Sequence, residues 1–140
     1  LAGLSILPAR AAEQHTPEQA QALAIQAGES LQAHMDNPQV AFDAFNSGQA
    51  PWRDGDLYVN VRRTDGVSMA HGMQPNMVGK NQIDQKDVDG KPIVREFIAC
   101  TSPCWVDYKW KNYETKAVET KPSYIIPIKE YRIIVGAYKK

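Results

Sequence analysis

Between Thr16 and Pro38 apolar side chains recur at helical spacing, at Ala20, Leu23, Ala27, Leu31 and Met35, which predicts an amphipathic helix. Thr16, Pro17 and Gln19 supply an N-cap, a first helical position and a capping box, and Asn37-Pro38 marks the expected stop. "PQVAFDAFNSG" predicts a short second helix with Val40, Ala44 and Phe45 turned inward, ended by Gly48. From Asp56 the period falls to two: Leu57, Val59 and Val61 share one face, Tyr58, Asn60 and Arg62 the other, as in a half-buried strand. "TDG" turns the chain into a second strand, "VSMAHG". A Gly-, Asn- and Asp-rich loop leads to a short helix from Pro92 to about Ala99. "CWVDYKWK" and "AVETKPSYIIPI" then form a hairpin across "NYETK", and "YRIIVGAY" adds a last strand. Helices precede strands instead of alternating with them, so the expected class is α+β, one antiparallel sheet flanked by helices.

With 140 residues the chain fits one domain, expected over 12–140 with a helical part at 16–47 and a sheet part at 54–138. Sixteen basic and sixteen acidic residues cancel, so no global field draws it to nucleic acid or anionic lipid. The balance is uneven: residues 1–50 hold five acids and Arg10 alone as a base, whereas 51–140 hold eleven acids and fifteen bases. That bias suits a small anion. The opening "LAGLSILPARA" is apolar, free of acids and closed by Ala9-Arg10-Ala11, which reads as the remnant of a secretory signal peptide over 1–11. A periplasmic or secreted location is the expectation.

Candidate chemistry concentrates in "CTSPCWVDYKW". Cys100-x-x-x-Cys104 lacks the spacing of a thioredoxin motif, and no histidine follows as in a haem attachment site. Two thiolates are too few for a structural zinc, so in an exported chain a structural disulfide is expected. "QKDVDGKPIVRE" outlines a calcium loop, but Gln85 replaces the first aspartate and Lys91 sets a cation at position seven. A polar turn is the preferred reading. Trp105, Asp107 and Lys109 fall on one face of their strand and Val106, Tyr108 and Trp110 on the other, which argues against a stacking platform for single-stranded nucleic acid. No nucleophile elbow, phosphate loop or acid–base constellation is recognisable, and neither enzyme activity nor a cofactor or metal is expected.

The motifs "DGVSMAHG", "VGKN", "DVDGKPIVRE", "WVDYKW", "KPSY" and "VGAY", in that order over about residues 54–138, resemble those of a single Cache domain of the second type. The resemblance implies a PAS-like fold: a five-stranded antiparallel sheet, a long N-terminal helix along one face and a short connecting helix. It also implies an extracytoplasmic, chemotaxis-type sensor that binds a small organic anion of the acetate, propionate, pyruvate or lactate class. A membrane sensor kinase or chemoreceptor would be its partner. "CTSPC" replaces the family's usual glycine-containing stretch before "WVDY". The implied pocket lies between the sheet and the connecting helix. Its candidate contacts are His71, Arg95, Trp105, Tyr108, Trp110, Lys121 and Tyr124. Arg95 or Lys121 would hold the carboxylate, since a buried anion needs a cationic partner.

Overall fold

The computed structural model describes residues 15–139; the expected signal-peptide remnant at 1–11 lies outside them. Helix α1 (Pro17–Ala33) starts as its sequence predicts, with Thr16 Oγ1 accepting from Gln19 N and Gln19 Oε1 accepting from Thr16 N. It ends earlier than Asn37-Pro38. His34 Nδ1 contacts the Ser30 carbonyl at 2.7 Å while the His34 amide shifts to Leu31 O, so a side chain takes the place of the next helical N–H. Helix α2 (Gln39–Asn46) buries Ala41, Phe42 and Phe45. Val40 is exposed instead, because residues 41, 42 and 45 make the inward stripe once the helix begins at Gln39.

Strands β1 (Arg53–Asp54) and β2 (Leu57–Tyr58) form a small hairpin around Gly55, whose φ of +60° suits glycine. The expected strand over 57–62 is therefore divided: β2 pairs with β1, and β3 (Asn60–Arg63) enters the main sheet. Strands β4 (Ser68–His71), β5 (Cys104–Lys111), β6 (Val118–Ile128) and β7 (Tyr131–Gly136) complete that sheet, and α3 (Ile93–Ala99) connects β4 to β5. The order is β4-β3-β7-β6-β5, with every pairing antiparallel. The α+β class and five-stranded sheet stand as expected.

One face of this sheet packs on α1 and α2. Leu57, Val59, Val61, Ile133 and Val135 meet Ala20, Leu23, Ala24, Ala27 and Leu31 across it. Phe42 and Phe45 fill the end of that layer, edge-on to Tyr131 at 5.2 Å and Trp52 at 4.9 Å. Each fully buried aliphatic or phenyl side chain adds about 1.5–3 kcal/mol. The opposite face carries a second, smaller core of Ile93, Val94 and Phe97 from α3 against Val106, Tyr108, Ile125 and Ile134. Gly136 matters here because a Cβ would stand 2.1 Å from Ser123 Oγ and 2.9 Å from Lys121 Cε. A glycine at this position lets the β6 side chains lie flat beside β7.

Cys100 and Cys104 form a disulfide with a Cα–Cα separation of 6.1 Å, tying the end of α3 to the start of β5. Thiol titration of the denatured, unreduced protein should find no free thiol, and reduction should cost about 2 kcal/mol of stability. Two reactive thiols per chain would contradict the bridge.

Candidate functional site

The polar residues of β3 face α3. Tyr58, Asn60 and Arg62, the residues that alternate with the core valines, line a cavity of ≈ 40 Å³ together with His71, Tyr108 and Trp110. Ile93 and Phe97 of α3 close one side, and Gln82 and Gln85 come from the loop before it. A space of this size holds a few water-sized groups.

Arg62 is only 4% exposed. Its Nε and Nη1 have no hydrogen-bond partner among the described residues. Burial lowers its pKa to about 10, opposed by Tyr108 and Tyr58, so the guanidinium stays charged at neutral pH. Arg132, buried on the same sheet face, is the instructive contrast. Its donors go to the carbonyls of Ile98, Lys129 and Tyr131. One arginine is structurally satisfied; the other is not.

A second cation lies close by. Lys121, 3% exposed, donates from Nζ to Tyr58 Oη at 2.9 Å and sits 4.3 Å from the centre of the Tyr58 ring. Burial lowers its pKa, against the pull of Tyr108 and Asp56. Tyr108 Oη accepts from Ser123 Oγ at 3.1 Å, and its ring meets Phe97 edge-on at 5.3 Å. Among the described residues no acidic side chain lines the cavity.

His71 stacks on Tyr58 at 5.0 Å. Its Nδ1 accepts from the amides of Gln74 at 2.8 Å and Met73 at 3.3 Å, so the ring proton belongs on Nε2. Burial first, then Lys121 and Arg62, push its pKa down to about 3. The ring is neutral and offers a donor. A neutral donor, two buried cations and several phenols make a region of positive potential with aromatic walls.

The structure thus places His71, Tyr108 and Trp110 at the cavity wall, with Lys121 beside Tyr58 but not itself in the lining. It separates the other three candidates from them. Trp105 and Tyr124 are cross-strand partners packed at 5.0 Å on the face turned to α1. Arg95 is largely exposed and pairs with Asp84 at 2.7 Å, because α3 turns Ile93, Val94 and Phe97 inward instead. Sequence reasoning missed Arg62, Tyr58 and Asn60 as cavity-lining residues, although the period-two pattern had set them on one face.

The calcium-like loop has other work. Asp87 accepts from the amides of Asp89 and Lys91 with Oδ1 and from Lys109 N with Oδ2. Burial raises its pKa, but these three donors outweigh that and hold it low. Asp89 pairs with Lys109 at 3.0 Å, and Lys91 Nζ reaches the Asp107 carbonyl. The loop's carboxylates therefore hold it to the edge of β5.

Among the described residues no helix is long and apolar enough to cross a membrane. A family model described as Single Cache domain 2 matches residues 14–139. No curated protein sequence matches the chain. Among solved structures, it is similar to a methyl-accepting chemotaxis protein from Vibrio parahaemolyticus RIMD 2210633, with 19% identity and a TM-score of 0.64 over 86% of this chain and 94% of that one. It is also similar to a periplasmic sensor domain of a chemotaxis protein, at 19% identity and a TM-score of 0.65 over 88% and 90% of the two chains. A third similar structure is described as the structural basis for carboxylic acid recognition by a Cache chemosensory domain, at 18% identity and a TM-score of 0.65, covering 88% of each chain. Identities this low carry the fold and no residue-level correspondence.

Proposed function

This chain belongs to the single Cache domain 2 family, and we propose that it is a non-enzymatic, extracytoplasmic sensor domain that binds a short carboxylate in the cavity between β3, β5 and α3. The observation that carries this reading is Arg62, a buried guanidinium at a cavity wall with two donor nitrogens and no partner among the described residues. A buried charge without a counter-ion is costly, and a small anion is what such a site lacks. The guanidinium fork matches both oxygens of a carboxylate. Lys121 adds positive potential, His71 and Tyr108 offer hydrogen bonds, and Trp110 supplies an apolar wall for a short aliphatic tail.

The solved sensor domains of chemotaxis proteins, one described with carboxylic acid recognition, support the same reading. The Cys100–Cys104 disulfide supports an oxidising, extracytoplasmic location. A chemoreceptor or sensor kinase would read the occupied state.

A thermal-shift screen with acetate, propionate, pyruvate and lactate tests this. At least one acid should raise the melting temperature, and Arg95→Ala, which removes only an exposed ion pair, should respond like the parent. If no short carboxylate shifts the transition, the chain acts instead as an interaction module that works through a partner sensor protein.

A further inference from the structure

We propose that the ligand is a short 2-hydroxy acid, whose hydroxyl group is selected by Asn60 and Gln82. This rests on the carboxylate reading above and narrows it. Among the described residues, four polar atoms of the cavity lining are buried and unpartnered, and they are of two kinds. Arg62 Nε and Nη1 are donors. Asn60 Oδ1 and Gln82 Oε1 are acceptors. Gln82 turns its Nε2 toward the Met77 sulfur at 4.0 Å, which leaves Oε1 as the free end of that amide.

A simple carboxylate has only acceptor atoms. It satisfies Arg62 but displaces the water that a cavity of ≈ 40 Å³ admits and leaves both amide oxygens without a donor, which lowers its affinity by about tenfold to a hundredfold relative to an acid that carries one. The missing group is therefore a donor on the ligand, next to its acid group because the cavity is only ≈ 40 Å³. An ammonium could donate, but Arg62 and Lys121 already bring two positive charges, and among the described residues no acidic side chain lines the wall to balance a third. A keto oxygen accepts and cannot donate. His71 does not change the count, since its one acceptor nitrogen is taken by the amides of Met73 and Gln74. A hydroxyl group is the neutral donor that fits. Its single proton goes to one of the two amide oxygens or is shared between them, and its oxygen can also accept from the ring N–H of His71.

Isothermal titration of the parent protein with lactate (each enantiomer), isobutyrate, pyruvate and alanine tests the inference. Isobutyrate replaces the hydroxyl by a methyl group of similar size, so shape is held constant while the donor is lost. One lactate enantiomer should bind at least about tenfold tighter than isobutyrate or pyruvate, with alanine weakest. Gln82→Met keeps the length of the side chain and removes its acceptor. It should pull the lactate-to-isobutyrate ratio toward one without weakening isobutyrate, and Asn60→Leu should act in the same direction. If isobutyrate or pyruvate matches lactate in the parent, hydroxyl selection is wrong and the carboxylate site stands. If alanine binds best, the charge argument is wrong. If none of the four binds while acetate or propionate does, hydroxyl selection is wrong and the carboxylate site stands; if no short carboxylate binds at all, the carboxylate reading itself falls.

Discussion

Arg62→Met is expected to abolish carboxylate binding while raising the stability of the ligand-free protein. The two effects share one cause. The guanidinium is 4% exposed, with Nε and Nη1 unpartnered among the described residues, so the folded state carries a desolvated charge that an apolar side chain of similar length would not. Replacing buried charge by packed apolar groups commonly gains on the order of 1 kcal/mol or more. Binding moves the other way. Removing the buried partner of a charged ligand group costs roughly 2–5 kcal/mol, well over tenfold in affinity. Chemical denaturation gives the first quantity and titration with the acid found by the screen gives the second. A variant that binds like the parent would remove Arg62 from the site. A variant that is less stable would show that the guanidinium holds the fold and was not reserved for a ligand.

Acid should destabilise the protein through His71 before most carboxylates titrate. Unfolded, this imidazole takes a proton near its ordinary value of 6.5; folded, it resists protonation until about 3. The stability it contributes is complete above the unfolded value and is lost as pH falls toward the folded one, at up to about 1.4 kcal/mol per pH unit. His15 has the opposite sign. Burial opposes its protonation, but Asp56 at 2.7 Å and Asp54 at 3.0 Å outweigh that and raise its pKa, so its contribution is present in acid and fades as pH rises through the raised value. His71→Asn separates the two, because the amide oxygen can still accept from Met73 and Gln74 but does not titrate. Between about pH 7 and about pH 4 the parent should lose roughly 3 kcal/mol more than this variant in urea denaturation. Parallel curves for the two proteins would mean that His71 is not held neutral by its surroundings.

The helices and most strands were legible because each is set by local periodicity; the buried face of α2 and the break between β2 and β3 were not. The site was legible only in part, and parity explains much of the gap. Residues of one strand separated by an odd number lie on opposite faces. Trp105 therefore cannot share a face with Tyr108, nor Tyr124 with Lys121, and the pairing Trp105↔Tyr124 beside Tyr108↔Lys121 places both outsiders on the α1 side. Arg62 was hidden for a different reason. Tyr58, Asn60 and Arg62 look like the solvent face of a half-covered strand, and what covers them is α3 and the loop over 74–85, brought back by the β3–β4 turn. No local pattern announces a cover that arrives from later in the chain. Arg95 is the converse case: a cation on the right element, turned outward because the apolar residues beside it decided which face of α3 is buried.

Strand β3 has no spare layer between its two neighbourhoods. Asn60 and Arg62 reach into the cavity, while Val61, one residue away on the same backbone, is fully buried in the layer shared with α1. The wall of the cavity and the floor on which the long helix rests are two sides of a partition one peptide thick. A shift of that backbone by a few tenths of an ångström cannot be absorbed on the way across, because close-packed interiors transmit displacement instead of damping it. The helix therefore needs no hinge or lid to register what happens in the cavity: it leans on the same strand.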